Sequence, residues 1–502
     1  MEKLTNLNPN RLESFLQKPA SQFTKNDIIN FIEENNIKML NFRYVAEDGK
    51  LKALNFVINS KEHLDSILTT GERVDGSSLF SYIEAGSSDL YVLPRYKTAF
   101  INPFASSPTL DFLCSFYTNE GTPLESAPEN ILKKAHREFK KKTGYTFKAM
   151  GELEYYIIAP KPENNLYPAS DQHGYHESAP YTKWEEFRLE AMELIAQAGG
   201  KIKYGHSEVG NFNSETEYFE QQEIEFIPVE AEDAIDQLVV AKWIIRMLAQ
   251  EYDAKISFAP KITVGKAGSG LHIHMLLEKD DRNIMVENDK LSDTAKKIIA
   301  GILDLSGALT AFGNTIPTSY LRLVPHQEAP TNICWGDRNR SVLVRVPLGW
   351  IGVSSMIKDA NPQDDSEVKQ FDSKQTVELR SGDGSADLYN YLAGIIVAAQ
   401  HGLEMPNALE IADKLYMNIN IFDDEHKDQL AKLEQLPSSC YESAECLEEK
   451  RKFFEKNNIF PSNLINRYIE LLKSYDDKDL SERLYGKDHE IKLLVDKYIH
   501  CK

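Results

Sequence analysis

Residues 147–159 read FKAMGELEYYIIA. Successive side chains of a strand point to opposite faces, so Glu152 and Glu154 share one face while Leu153 and Tyr155 share the other. Three further strand-like pieces follow the same rule: Glu223 and Glu225 flank Ile224, His272 and His274 flank Ile273, and Glu378 and Arg380 flank Leu379. One such face is what any half-exposed strand offers to water. Four together predict a single polar wall of acids and histidines. Hard cations take carboxylate oxygens and tolerate an imidazole, whereas zinc more typically takes thiolates or several histidines, so the wall points to Mg2+ or Mn2+.

A second cluster is basic. Arg322, Arg338, Arg340, Arg345 and Arg380 fall within one stretch of a chain that otherwise carries 57 Lys plus Arg against 77 Asp plus Glu, a formal net charge of −20. The planar guanidinium fork pairs with carboxylate or phosphate through charge-assisted hydrogen bonds. Beside an acid-lined cation site, such arginines describe phosphoryl transfer, in which positive charge stabilises the transferring group. The glycine-rich loop GKAGSG at 265–270 leads into His272, but no Lys-Ser/Thr follows its last glycine; GERVDGSS at 71–78 also lacks the lysine. A Walker-type phosphate loop and a dinucleotide-binding fingerprint are therefore both disfavoured.

At 502 residues the chain is long enough for two domains, and 42% hydrophobic with 27% charged residues describes a folded protein. From about Asn26 to Phe116, short runs such as LNFRYV, DLYVL and LDFLCSFY alternate with turn residues and predict a small strand-rich domain. The segment Pro123–Asn130 precedes a helical pattern over Glu129–Lys142, which places the boundary between residues 1–125 and 126–502. Beyond it, strand pieces alternate with helical stretches at 184–199 and 231–252, a large mixed α/β domain with a helical C-terminal region. There Leu464, Ile465, Tyr468, Leu471 and Leu472 form an apolar face expected to pack in the core or between subunits. The acidic balance argues against nucleic acid and anionic membrane surfaces as partners. With no apolar run of membrane-spanning length and no signal-peptide pattern at the start, the expected location is cytoplasmic. Five scattered cysteines without C-x-x-C spacing suggest neither a disulfide framework nor a zinc site.

In order along the chain, RVDGSS at 73–78, MGELEYY at 150–156, GHSEV at 205–209, GSGLHIHM at 268–275, SYLRLVPHQEAP at 319–330, DRNRSVLVRVP at 337–347 and VELR at 377–380 resemble the motifs of the glutamine synthetase family, nearest its bacterial type I form. The resemblance implies an α+β fold: an N-terminal β-grasp domain followed by a large glutamine synthetase-type α/β catalytic domain. It further implies a ring-built homo-oligomer, commonly a dodecamer, with sites shared between neighbouring subunits. By the same resemblance, Glu154, Glu208 and Glu223 hold one divalent cation and Glu152, His272 and Glu378 another, while Glu225 has no counterpart. His274, Arg340 and Arg345 match ATP contacts; Arg322, Arg340 and Arg380 match groups holding glutamate and the transferring phosphate; Gly268 matches a backbone contact to the amino acid. Asp75 matches an aspartate that binds and deprotonates ammonium, Tyr175 lines that pocket, and Glu328 matches a flap residue that closes it.

The implied activity is ATP-dependent ligation of ammonia to the γ-carboxylate of L-glutamate through a γ-glutamyl phosphate. The alternatives are a γ-glutamyl ligase using an organic amine such as a polyamine, and a non-catalytic structural relative. Ala267, Leu276, SGDG at 381–384 and the long link from Glu208 to Glu223, with its extra acids Glu215, Glu217 and Glu220, depart from the family pattern. Tyr416 lies near a tyrosine that is adenylylated in some type I enzymes, but the residues after it differ, and no modification is expected.

Overall fold

The computed structural model describes residues 7–83, 86, 88–162, 166–324, 329–349, 356–364, 373–418 and 432–501. The N-terminal sheet comprises β1 (Met39–Val45), β2 (Leu51–Val57), β3 (Glu72–Asp75), β4 (Asp89–Pro94), β5 (Phe100–Ile101) and β6 (Thr109–Tyr117). Its order is β2-β1-β6-β4-β3, with β5 added to β6. β1 and β6 run parallel and the remaining pairs antiparallel. Three helices accompany the sheet: α1 (Arg11–Leu16), α2 (Lys25–Glu34) and α3 (Lys61–Thr70). The sequence reading named this region strand-rich and singled out none of these helices. Helix α2 follows from residues whose pattern is helical: Thr24 and Asp27 form a reciprocal capping box, and Ile28, Phe31 and Ile32 recur on one buried face. They pack with Leu40, Phe42, Phe112 and Phe116 into a compact core.

The second sheet carries β7 (Thr146–Pro160), β8 (Ile202–Asn213), β9 (Glu217–Phe226), β10 (Val229–Glu230), β11 (Lys255–Ser257), β12 (Leu271–Lys279), β13 (Arg282–Asn283), β16 (Trp335–Asp337), β17 (Val344–Val346) and β18 (Val377–Leu379); β14 (Val286–Glu287) and β15 (Lys290–Leu291) form a separate hairpin. Its path is β16-β17-β18-β12-β7-β9-β8. Within this sheet, among the described strands, only β16 and β17 pair in parallel. The helices are α4 (Pro128–Thr143), α5 (Glu185–Gln197), α6 (Ala231–Glu251), α7 (Asp293–Gly313), α8 (Ser319–Arg322), α9 (Met356–Ala360), α10 (Leu388–Glu404), α11 (Ala408–Lys414), α12 (Cys440–Phe454), α13 (Ser462–Lys473), α14 (Leu480–Leu484) and α15 (Asp488–Tyr498).

The sheet's two faces separate as the alternation requires. Leu153, Tyr155, Ile224, Ile273, Val344 and Leu379 enter the large core on one side, where α6 lies on β7. α10 is held between α4 and α7, and at its crossing with α7 the backbones touch: a Cβ on Gly301 would lie 2.2 Å from the carbonyl oxygen of Ala398, and one on Gly402 2.0 Å from that of Lys297. Leu464, Ile465, Tyr468 and Leu472 of α13 belong to this core. Their apolar face is thus packing within the chain.

The two sheets are joined by polar and aromatic contacts. Arg95, just after β4, makes paired bonds of 2.6 and 2.9 Å to Asp236 of α6, which also accepts from the Tyr389 hydroxyl at 2.7 Å. Arg43 of β1 stacks over Trp243, and Glu129 of α4 accepts the Phe116 amide at 2.8 Å. Val45, Phe100 and Leu113 from the N-terminal sheet enter the large core. Among the described residues no helix is long and apolar enough to cross a membrane.

Candidate active site

The face opposite the large core assembles the predicted wall. Across the strands, His272 lies beside Glu152, Glu152 beside Glu225, Glu154 beside Glu223, and Glu378 between His274 and Arg345. Glu152 bridges two imidazoles, 2.8 Å from His272 Nδ1 and 2.8 Å from His274 Nε2. Glu378 lies 3.6 Å from His272 Nδ1 and 3.0 Å from Arg345 Nη1. Glu152, His272 and Glu378 each offer a donor atom within 4.8 Å of the others.

On the other flank, the trio that meets the same 4.8 Å limit is His206, Glu208 and Glu223. The sequence expectation placed Glu154 with Glu208 and Glu223. In the structure the Glu154 carboxylate accepts the Gly270 amide at 2.8 Å and the Gln221 side-chain amide at 3.1 Å, so it is fastened to the glycine-rich loop. His206 was missed, although it stands two residues before Glu208 and faces Glu223 across the β8–β9 ladder; the alternation that nominated the other residues applies to it equally. Glu225 does belong to the wall, grouped with Glu152 and Glu223, but Lys203 neutralises it at 2.5 Å.

Electrostatics distinguish the carboxylates. Burial would raise Glu152, but the charges and hydrogen bonds of His274 and His272 outweigh it and hold the carboxyl well below its ordinary range. Glu223 goes the other way: burial, reinforced by repulsion from Glu152, Glu154, Glu208 and Glu225, pushes it well above. His274 is raised, the opposing effect of burial being overcome by Glu152 and Glu378. A wall with this excess of negative charge, in two groups of two carboxylates and one imidazole each, has the donor set that Mg2+ or Mn2+ accepts.

Arginines border the wall. Arg322 is buried, donating to the carbonyls of Ser381 at 3.0 Å and Gly382 at 3.2 Å, with Nη2 3.4 Å from His272 Nε2. Arg380 donates to the Arg340 carbonyl at 3.0 Å and its Nε lies 3.5 Å from Glu378 Oε1, while the Nε of Arg345 is buried without a hydrogen-bond partner. A buried guanidinium donor of this kind beside the wall suits an anionic ligand. Gly268 sits where a Cβ would meet the Pro260 carbonyl at 2.5 Å, and its own carbonyl accepts from Gln221 at 3.0 Å.

Tyr175 is carried by a segment of turns lying along β8: Gln172, Gly174 and His176 donate backbone amides to Asn211, Val209 and Ser207. Its exposed ring lies 5.4 Å from that of His206, and Arg340 hydrogen-bonds it. Asp75 is exposed at the end of edge strand β3. It accepts from the Ser77 amide at 3.0 Å and from the Ser77 and Ser78 hydroxyls at 2.7 Å each, which draw its carboxyl down to about 2. Among the described residues no hydrogen bond or ion pair links Asp75 to the wall. Glu328 lies outside the described residues.

The departures from the family pattern have structural uses. The Ala267 carbonyl accepts the Tyr156 hydroxyl at 2.9 Å, and Leu276 is buried. Asp383 of SGDG is buried, accepting from Asn314 at 2.7 Å and the Ser385 amide at 2.8 Å. The long link is the β8–β9 hairpin, whose register shifts between Ser207 and Asn211; Glu220 accepts the amides of Lys183 and Trp184 and the Tyr218 hydroxyl, anchoring the chain before α5.

A small grasp-like sheet ahead of a large antiparallel sheet, with acids, imidazoles and arginines on one face, defines an α+β protein of the ligase class. The chain belongs to the glutamine synthetase family: residues 36–119 match the family's β-Grasp domain and residues 125–490 its catalytic domain. A glutamine synthetase from Staphylococcus epidermidis is 29% identical over 458 residues, covering 90% of this chain and 94% of that protein. One from Clostridium saccharobutylicum is 29% identical over 435 residues, covering 86% and 90%. Among solved structures, Plasmodium falciparum glutamine synthetase superposes with a TM-score of 0.73 at 20% identity, over 93% of this chain and 97% of that one. An apo structure of GmaS gives 0.72 at 18% identity, over 92% and 98%. The α+β fold with its N-terminal β-grasp domain is the one the sequence motifs implied.

Proposed function

We propose that the chain is an ATP-dependent ligase that joins ammonia to the γ-carboxylate of L-glutamate by way of γ-glutamyl phosphate. The observation that carries this reading is the wall itself: two groups of one imidazole and two carboxylates on one sheet face, bordered by Arg322, Arg340, Arg345 and Arg380. Bound Mg2+ or Mn2+, two or more ions per site, would supply positive charge to the phosphates and the transferring phosphoryl group. Glu152, His272 and Glu378 would hold one ion, and Glu208 and Glu223, with Glu154, the other.

In the first step His274, Arg340 and Arg345 orient ATP while Arg322, Arg380 and the backbone at Gly268 hold glutamate, so that a γ-carboxylate oxygen attacks the terminal phosphorus and ADP leaves. In the second, ammonium loses a proton to an acid of its pocket and ammonia attacks the acyl carbon, expelling phosphate. Tyr175 lines that pocket, and Glu328 closes it against water, which would otherwise hydrolyse the acyl phosphate. Asp75 is exposed on an edge strand and, among the described residues, has no hydrogen bond or ion pair to the wall of its own chain, which supports a ring-built homo-oligomer, a dodecamer by family likeness, in which it serves a neighbouring subunit's site. The same reading divides the chain at 125/126 and places it in the cytoplasm.

The test is phosphate release by the purified protein given ATP, glutamate and Mg2+ or Mn2+, with ammonium or a panel of organic amines and polyamines. Release with ammonium supports the reading. Release only with an organic amine transfers the activity to a γ-glutamyl amine ligase, and none with any amine sinks the ligase.

A further inference from the structure

We propose that Lys266 is a positioning residue for the amine step: paired with Asp171, and beside the bond from Gln172 to Ala267, it ties the segment that carries Tyr175 to the loop that carries Gly268. The inference rests on the ligase reading, which puts the amine at Tyr175 and glutamate at Gly268. It adds what holds those two places in register.

The glycine-rich loop is fastened from its own side. The carbonyl of Lys266 accepts Lys261 Nζ at 2.5 Å, that of Ala267 accepts the Tyr156 hydroxyl at 2.9 Å, and that of Gly268 accepts the Gln221 side-chain amide at 3.0 Å. The Ser269 amide donates to the Pro260 carbonyl at 3.1 Å. Gly210 makes room for one of these contacts, since a Cβ there would lie 1.9 Å from the Tyr156 hydroxyl oxygen. Bonds on successive residues, most of them to buried partners, make local opening of the loop costly.

The segment around Tyr175 is held differently. Gln172 and His176 have φ of 56° and 59°, conformations that cost a non-glycine residue free energy and persist where neighbours hold them. Two bonds reach from this segment to the loop: Lys266 Nζ lies 2.5 Å from Asp171 Oδ2, and Gln172 Oε1 accepts the Ala267 amide at 2.7 Å. Gln172 Nε2 donates in turn to the Asn211 carbonyl at 3.0 Å, so one side chain joins loop, segment and the β8–β9 hairpin. The Lys266 ammonium lies 5.8 Å from the centroid of Phe212, which stacks on Phe219 across that hairpin. The Lys266 side chain is 27% exposed and that of Asp171 61%, and an ion pair so open to water moves an equilibrium by about fivefold at most. When the tie opens, the segment carrying Tyr175 shifts while the loop stays, and water gains access to the acyl phosphate.

The test compares the full-length wild-type protein with Lys266→Met, which keeps the stem against Phe212 and removes the charge. Asp171→Asn breaks the same pair from its exposed side and carries the test if Lys266→Met does not fold. Both variants are expected to raise KM for ammonium by about two- to fivefold, to leave KM for glutamate and ATP at the wild-type values, and to release more phosphate than the glutamine they form. Lys266→Arg, which keeps the charge, should match wild type. Without substrates, amide hydrogen exchange over 171–176 should quicken in Lys266→Met and Asp171→Asn by a similar factor and stay unchanged over 266–270. Wild-type KM for ammonium in both variants, wild-type exchange over 171–176, a rise confined to KM for glutamate, or a Lys266→Arg protein as impaired as Lys266→Met overturns the proposal. A wild-type protein that releases no phosphate with ammonium sinks the ligase reading instead, and exchange over 171–176 still decides whether Lys266 holds the segment.

Discussion

A Cβ on Gly270 would lie 2.6 Å from Arg322 Nη2 and 2.7 Å from His272 Nε2. The glycine therefore sets how closely an arginine and an imidazole approach each other. Gly270→Ala should displace both, and since an error of about 1 Å in a reacting constellation costs on the order of 10²-fold, kcat/KM for phosphate release should fall by about that factor while the protein stays folded. Glu129 is one buried carboxyl that makes stability depend on pH. Burial outweighs the Phe116 amide and the Arg95 charge and raises its carboxyl from 4.5 to about 7. A carboxyl raised on folding binds more protons in the native state, so its contribution is present below about 4.5 and is lost as pH rises through about 7. At about 1.4 kcal/mol per pKa unit this is roughly 3 kcal/mol. Glu129→Gln should therefore raise the melting temperature at pH 8 and leave it nearly unchanged at pH 5; equal shifts at both pH values would contradict the assignment.

Elements differ in how far the sequence announces them. The wall strands were legible because alternation at Glu152/Glu154, Glu223/Glu225 and His272/His274 is a period of two that few other structures produce, and β7, β9 and β12 carry it. Helix α2 was not, because a ten-residue amphipathic pattern lay among β-branched and aromatic runs that read as strands. His206 was quoted within a motif yet unassigned, although its two-residue spacing from Glu208 and its pairing with Glu223 follow the same alternation. The fastening of Glu154 by Gly270 and Gln221 had no local signature, because it depends on a loop 116 residues away in sequence. The α7–α10 crossing offers a test of packing at this scale. Ala for Gly gains up to about 1 kcal/mol of helix propensity, but at Gly301 the added methyl meets backbone that cannot swing aside. Overpacking should win, lowering stability by about 1–3 kcal/mol in urea unfolding.

For the molecule as a whole, two cores meet at a junction of Arg95, Asp236 and Tyr389, close behind the strands that carry the wall. The overall α+β plan was legible from seven ordered motifs, and the family match extends over nearly all of the chain. What the motifs could not supply is that no hydrogen bond or ion pair among the described residues joins Asp75 to the wall, because a single chain's sequence does not say which chain a residue serves. The central claim is chemical: the γ-carboxylate of glutamate is activated by phosphorylation before an amine attacks it. Glutamate labelled with 18O in that carboxylate, turned over with ATP and ammonium, tests it directly. The account predicts inorganic phosphate carrying one 18O atom per molecule formed, because the oxygen that attacks phosphorus departs with it. Turnover that releases unlabelled phosphate would contradict the account.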